Sequence, residues 1–167
     1  MRSSITIAAL VGVFAAVLTT AAPTARAACP TAFPSSFKIK EGSGYFQASS
    51  GTIKQTTTKS AASYFYINNT YYQGPTVPQL SYSANGVKYG AFVTDSTNGT
   101  IVLVPTTVTP PNTYLPVDGT LGANCAITFT LFQAHANSYL QVCGGLIELA
   151  TSQKTGCTQV SATLVTS

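Results

Sequence analysis

Apolar and polar residues alternate in short runs along most of this chain, and few stretches carry the three-to-four spacing of an amphipathic helix. Phe37-Lys38-Ile39-Lys40-Glu41 alternates as a half-buried strand does. Tyr64-Phe65-Tyr66-Ile67 and Ile101-Val102-Leu103-Val104 are continuous apolar runs, which predict more fully buried strands. Phe129, Leu131 and residues 139–142 continue the pattern. Thr, Val, Tyr, Ile and Phe dominate these runs, the side chains that fit a pleated surface. The expectation is an all-β protein.

One pattern occurs three times. The copies start at Tyr45, Phe92 and Tyr139, each 47 residues after the last, and each reads as strand, glycine turn, strand. Phe37 to Glu41 and Ser63 to Ile67 flank the first copy, and Ile127 to Phe132 and Val160 to Val165 flank the third. In the middle unit Leu80-Ser81-Tyr82 and Tyr114-Leu115-Pro116-Val117 must serve as the outer strands. Three units of four strands predict a β-trefoil, with an antiparallel β-sandwich as the alternative, since glycine hairpins recur there too. Residues 73–78 and 104–116, rich in proline, are expected to be exposed loops.

The first 27 residues have the layout of a secretory signal. Arg2 supplies the positive start, Ile5 to Leu18 the apolar stretch, and Ala25-Arg26-Ala27 the small-x-small site. A spanning helix needs about 20 apolar residues, and Thr19, Thr20 and Pro23 interrupt this run. Residues 160–167 have no long apolar tail of the kind that directs lipid anchoring. The expectation is a signal peptide at residues 1–27 and one secreted domain at 28–167, extracellular or in a cell wall, with no membrane anchor.

All four cysteines, Cys29, Cys125, Cys143 and Cys157, follow the signal. An even count in a secreted chain predicts two disulfides, and no C-x-x-C pair supports a metal reading. Of three possible pairings, Cys29–Cys125 with Cys143–Cys157 is favoured, because the second closes a short glycine-rich loop. Two sequons, Asn68-Asn69-Thr70 and Asn98-Gly99-Thr100, make Asn68 and Asn98 candidate glycosylation sites.

Only 7% of the residues are charged, against about 25% in an ordinary soluble domain. Once Arg2 and Arg26 leave with the signal, six scattered lysines face four acids and no arginine remains. That is no basic face for nucleic acid. The acids are Glu41, Asp95, Asp118 and Glu148. Asp95 and Asp118 are expected in turns, making local backbone hydrogen bonds, and Glu41 and Glu148 are expected to point to water. A hydrolytic carboxyl pair is therefore disfavoured. His135, the only histidine, sits in a loop context, and no G-x-S-x-G elbow occurs. The reading is not an enzyme, with no catalytic residue, metal or cofactor.

Binding chemistry rests on nine tyrosines. Tyr71 and Tyr72, beside Gln73, are the candidate ligand contacts, as a stacking platform for a glycan. Gln47 and Gln141 fall where ricin-type trefoil lectins carry a Q-x-W repeat, but the chain has no Trp, so no sugar site follows from that likeness.

Ser63-Tyr64-Phe65-Tyr66-Ile67-Asn68, then Phe129-Thr130-Leu131 leading to Tyr139-Leu140-Gln141-Val142-Cys143, and a closing Gly156-Cys157-Thr158-Gln159-Val160 form a further pattern. With these segments the chain resembles small secreted fungal cell-wall proteins of the phialide-development and IgE-binding type. The N-terminal half here is shorter than in that family, and no catalytic or ligand residue transfers. The resemblance implies a non-enzymatic wall or surface protein. The function expected is thus a secreted structural or surface protein, with cell-wall polysaccharide or an extracellular protein as partner. A secreted effector or inhibitor that binds a foreign protein or glycan through residues 73–78 and 104–116 is the alternative. A small hydrolase comes last.

Overall fold

The computed structural model describes residues 28–94, 98–111, 114–131 and 138–165. The signal segment, Asp95 and His135 lie outside them. Thirteen strands follow in order: β1 Lys38–Glu41, β2 Gly44–Ser49, β3 Thr52–Thr56, β4 Phe65–Tyr71, β5 Thr76–Ala84, β6 Val87–Val93, β7 Asn98–Pro105, β8 Leu115–Leu121, β9 Ala126–Leu131, β10 Tyr139–Cys143, β11 Leu146–Ala150, β12 Thr158–Gln159 and β13 Ala162–Val165. Two short 3-10 turns, Lys59–Ala61 and Ala123–Cys125, are the only helical segments among the described residues.

The ladders form a closed barrel. A circuit of ten strands runs β1–β2–β3–β11–β7–β6–β5–β8–β9–β13 and returns to β1, every pairing antiparallel. A bridge between Phe37 and Phe65 also ties the start of β1 to β4. A sheet that closes on itself gives no support to the two-sheet sandwich. At one end the hairpins β2–β3, β6–β7 and β10–β11 touch each other, through Lys54 with Leu146, Thr52 with Val102 and Thr100 with Glu148. Leu103 N–H donates to Gly51 O and Gln55 N–H to Gly145 O, both at 2.8 Å.

The 47-residue spacing has a packing meaning. Phe46, Val93 and Leu140 occupy matching positions and are all buried, as are Ile53, Ile101 and Ile147. Phe46 stacks on Phe129 at 5.9 Å and meets Phe65 edge-on at 6.1 Å between ring centroids. Cys29–Cys125 ties the start of the domain to the turn before β9, and Cys143–Cys157 ties the end of β10 to the approach to β12, the pairing expected.

Several expectations need correction. Residues 64–67 and 101–104 are not buried throughout: Phe65, Ile101 and Leu103 point inward while Tyr64 is exposed. In the middle copy Gly99 lies within β7, not at a turn. Residues 76–78 and 115–116 belong to strands β5 and β8, including Pro78 and Pro116. Pro116 lies in the two-residue β6–β8 ladder, where few backbone donors are needed. Asp118 lies inside β8, half-buried, because Val117 and Gly119 continue the strand through it.

Glu41 and Glu148 do not point to water. Along Phe37 and the β1 strand that follows it, the inward positions are Phe37, Ile39 and Glu41, so the period of two carries the carboxyl into the interior. β11 pairs with β10, β7 and β3, and this central place covers Glu148 as well as Ile147 and Leu149.

Candidate functional site: an uncharged groove beside Tyr71

The β4–β5 hairpin closes over Tyr72-Gln73-Gly74-Pro75, with Tyr72 N–H donating to Pro75 O at 2.9 Å. Gln73 has φ of 47° and Gly74 of 116°, so the chain reverses sharply just after the exposed Tyr71. Across from this turn, β7 ends at Pro105 and the chain turns again. Val108 N–H donates to Pro105 O at 3.0 Å, and Thr106 N–H to Lys88 O at 2.9 Å. The two turns form the walls of a groove of about 400 Å³, within the range of about 300–1,000 Å³ common for ligand sites.

Tyr71 is 74% exposed on one wall, while Thr106, Thr107 and Thr109 stand exposed on the other. Gln79, Gly90 and Phe92 complete the lining. Gln79 is 1% exposed, and its Nε2 donates to Ala91 O at 2.9 Å. Gly90 makes room for that amide, since a Cβ there would fall 2.8 Å from both Nε2 and Oε1. None of the lining residues is charged.

The expected pair Tyr71 and Tyr72 thus divides its roles. Tyr72 lines the groove too, but it is buried against Val77 and Phe92, its hydroxyl donates to Tyr114 O, and it accepts from Gln73 Nε2 at 3.3 Å. Burial raises its phenol above the ordinary range. Tyr72 is a brace between the β4–β5 turn and the entry to β8, and Tyr71 is the exposed ring of the pair. Of the two segments expected to be loops, the second meets the end of the β4–β5 hairpin: residues 105–110 line the groove with residues 70–73, of which only Gln73 belongs to the first. Thr106, Thr107 and Thr109 carried no sequence signal beyond their proline-rich surroundings.

Asn68 is exposed on β4, paired with Gln79. Asn98 opens β7 opposite Ala150, and its side chain lies outside the described set.

A second, larger cleft of about 750 Å³ is lined by Glu41, Gln55, Val142 and the 158–161 segment. Gln55 Nε2 donates to Glu41 Oε1 at 2.6 Å, while Oε2 is buried without a hydrogen-bond partner. Burial raises the Glu41 carboxyl, and the Gln55 bond opposes this in part. Asp118 is raised by burial as well, against a hydrogen bond from the Gly119 backbone. Glu148 pairs with Lys154 at 3.7 Å.

Cys143, Glu148 and Cys157 bring their ligand-type atoms within 4.8 Å of one another. Metals bind the thiolate form of cysteine, and these two sulfurs are bonded to each other.

Comparison of the chain with protein-family models, curated proteins and solved structures finds no match.

Proposed function

We propose that the chain is a secreted, non-enzymatic β-trefoil protein that associates with a cell wall or extracellular matrix. Its role is structural or in surface development. The trefoil reading draws on the three mutually paired hairpins and on the equivalent core positions Phe46, Val93 and Leu140.

The observation that carries the functional reading is the chemistry of the outer surface. Exposed positions are filled by residues such as Thr57, Thr58, Asn69, Thr76, Ser83, Thr106, Thr120, Thr128, Gln159 and Ser161. Such a surface meets polysaccharide through hydroxyl and amide hydrogen bonds, which salt does not screen as it screens ion pairs. The two disulfides are compatible with an extracellular setting. The likeness of residues 63–68, 129–131, 139–143 and 156–160 to fungal wall proteins points the same way.

Fractionation of a secreting culture tests this reading. Retention of the native protein on washed walls, released by disrupting the polysaccharide and not by salt, is the expected result. Recovery of all the protein in the medium, with no retention on isolated wall polysaccharide, removes it.

The effector alternative keeps one specific support, the convergence of residues 70–73 and 105–110 on one groove. A stable complex with a foreign secreted protein, lost when residues 106–109 are replaced, would favour it.

A further inference from the structure

We infer that the groove between Tyr71 and the 106–110 segment is a binding site for a neutral saccharide chain. The inference rests on the wall-associated reading and assigns that reading a site and a ligand class. Three features of the groove select this ligand.

The first is the Tyr71 ring. An aromatic face 74% exposed at the rim of a concavity offers a flat apolar surface with a polar tip. A pyranose ring matches it, with C–H groups on one face and hydroxyls around the edge. The second is the opposite wall, where Thr106, Thr107 and Thr109 place hydroxyls along one short turn. Each hydroxyl both donates and accepts, as does each sugar hydroxyl, so the match survives rotation and small shifts of the chain. The third is charge. With no acidic or basic residue in the lining, a uronate, a sulfated sugar or a cationic amino sugar would lose hydration without gaining an ionic partner.

Both walls are set before any ligand arrives. Tyr72 is held by its hydroxyl bond to Tyr114 O and by its backbone bond to Pro75, and the facing turn by bonds to Lys88 and within residues 105–108. Little loop ordering then opposes binding.

The test uses the purified secreted chain in affinity electrophoresis and NMR titration. The probes are three soluble hexasaccharides: β-1,3-linked glucose, N-acetylglucosamine and galacturonic acid. At least one of the two neutral probes is expected to bind and shift the Tyr71 and Thr106–Thr109 signals, and the acidic probe not to bind. Tyr71→Ala, a change at an exposed ring, is expected to weaken binding about tenfold or more. Tyr64→Ala, exposed but outside the groove, is expected to leave it unchanged.

Failure of both neutral probes, equal binding of the acidic one, or indifference to Tyr71→Ala overturns the inference. So does occupation of the groove by a proline-rich peptide that no saccharide displaces. Wall retention unaffected by Tyr71→Ala would sink the groove assignment and leave the wall reading standing. Oligosaccharide binding without wall retention would do the reverse.

Discussion

The Glu41 carboxyl on β1 and the Gln55 amide on β3 meet at 2.6 Å across β2, which pairs with both strands. Gly44, paired with Glu41 across the β1–β2 ladder, is what lets them meet. A Cβ at that position would fall 2.5 Å from Glu41 Oε1 and 2.7 Å from Gln55 Cγ. Gln55 also takes Gly145 O on its backbone N–H, so one residue joins the carboxyl to the third hairpin.

Stability should therefore fall as pH rises. Glu41 and Asp118 are raised from 4.5 and 3.8, both by burial, so the unfolded chain releases these protons first. Their contribution is full below those ordinary values and is lost as pH climbs through the raised folded ones. Thermal unfolding should show a Tm that declines from about pH 4 towards neutrality. Glu41→Gln, which mimics the protonated carboxyl, should flatten the decline; a slope equal to that of the wild type would contradict this origin.

Gly44→Ala should destabilise the fold by about 1–3 kcal/mol, because the backbone cannot yield without moving both Glu41 and Gln55. Urea unfolding measures this. Gly51→Ala provides the contrast: nothing lies within 4 Å of its added Cβ, so its cost arises from φ of 76° alone.

Truncation of the core at matching repeat positions should hurt each unit. Phe46→Ala is expected to cost about 3–5 kcal/mol and Leu140→Ala about 2–5 kcal/mol. Exposed Tyr71→Ala should stay within about 0.5 kcal/mol of the wild type. Equal losses at Phe46 and Tyr71 would mean that Phe46 is not in the centre of the core.

These positions show how far the residues alone foretold the architecture. The 47-residue spacing was legible from Tyr45, Phe92 and Tyr139, and the structure shows it as a packing period through the buried residues that follow them, Phe46, Val93 and Leu140. Glu41 shares the parity of Phe37 and Ile39, and in the fold that period of two overrides the general preference of a carboxylate for water. The Asn85-Gly86 pair is a turn signal as well. Its φ values of 51° and 76° and the pairing of Ala84 with Val87 make it a two-residue hairpin. The groove was only half legible. Tyr71 and the threonine turn face one groove across β5 and β6, whose Gln79, Gly90 and Phe92 line it between them, a tertiary relation that no local pattern encodes.

Removing the short disulfide loop by replacing Cys143 and Cys157 with alanine should cost about 3 kcal/mol. Glu148, buried beside the bridge, should keep its pairing with Lys154 if β10 and β11 stay in register. Denaturant unfolding gives the first quantity and hydrogen exchange on residues 146–150 the second. Full protection at unchanged stability would show that the bridge contributes nothing.

The Cys29–Cys125 bond encloses the whole Tyr71 and 106–110 region within one covalent ring. A protease that cuts the threonine turn would open that ring without releasing either piece. The fragment before the cut keeps Cys29, the fragment after it keeps Cys125, and β6–β7 and β8–β9 hold their own ladders. The molecule is thus built to survive a nick beside the Tyr71 groove. The damage would show as two bands under reducing conditions and a single one without reductant.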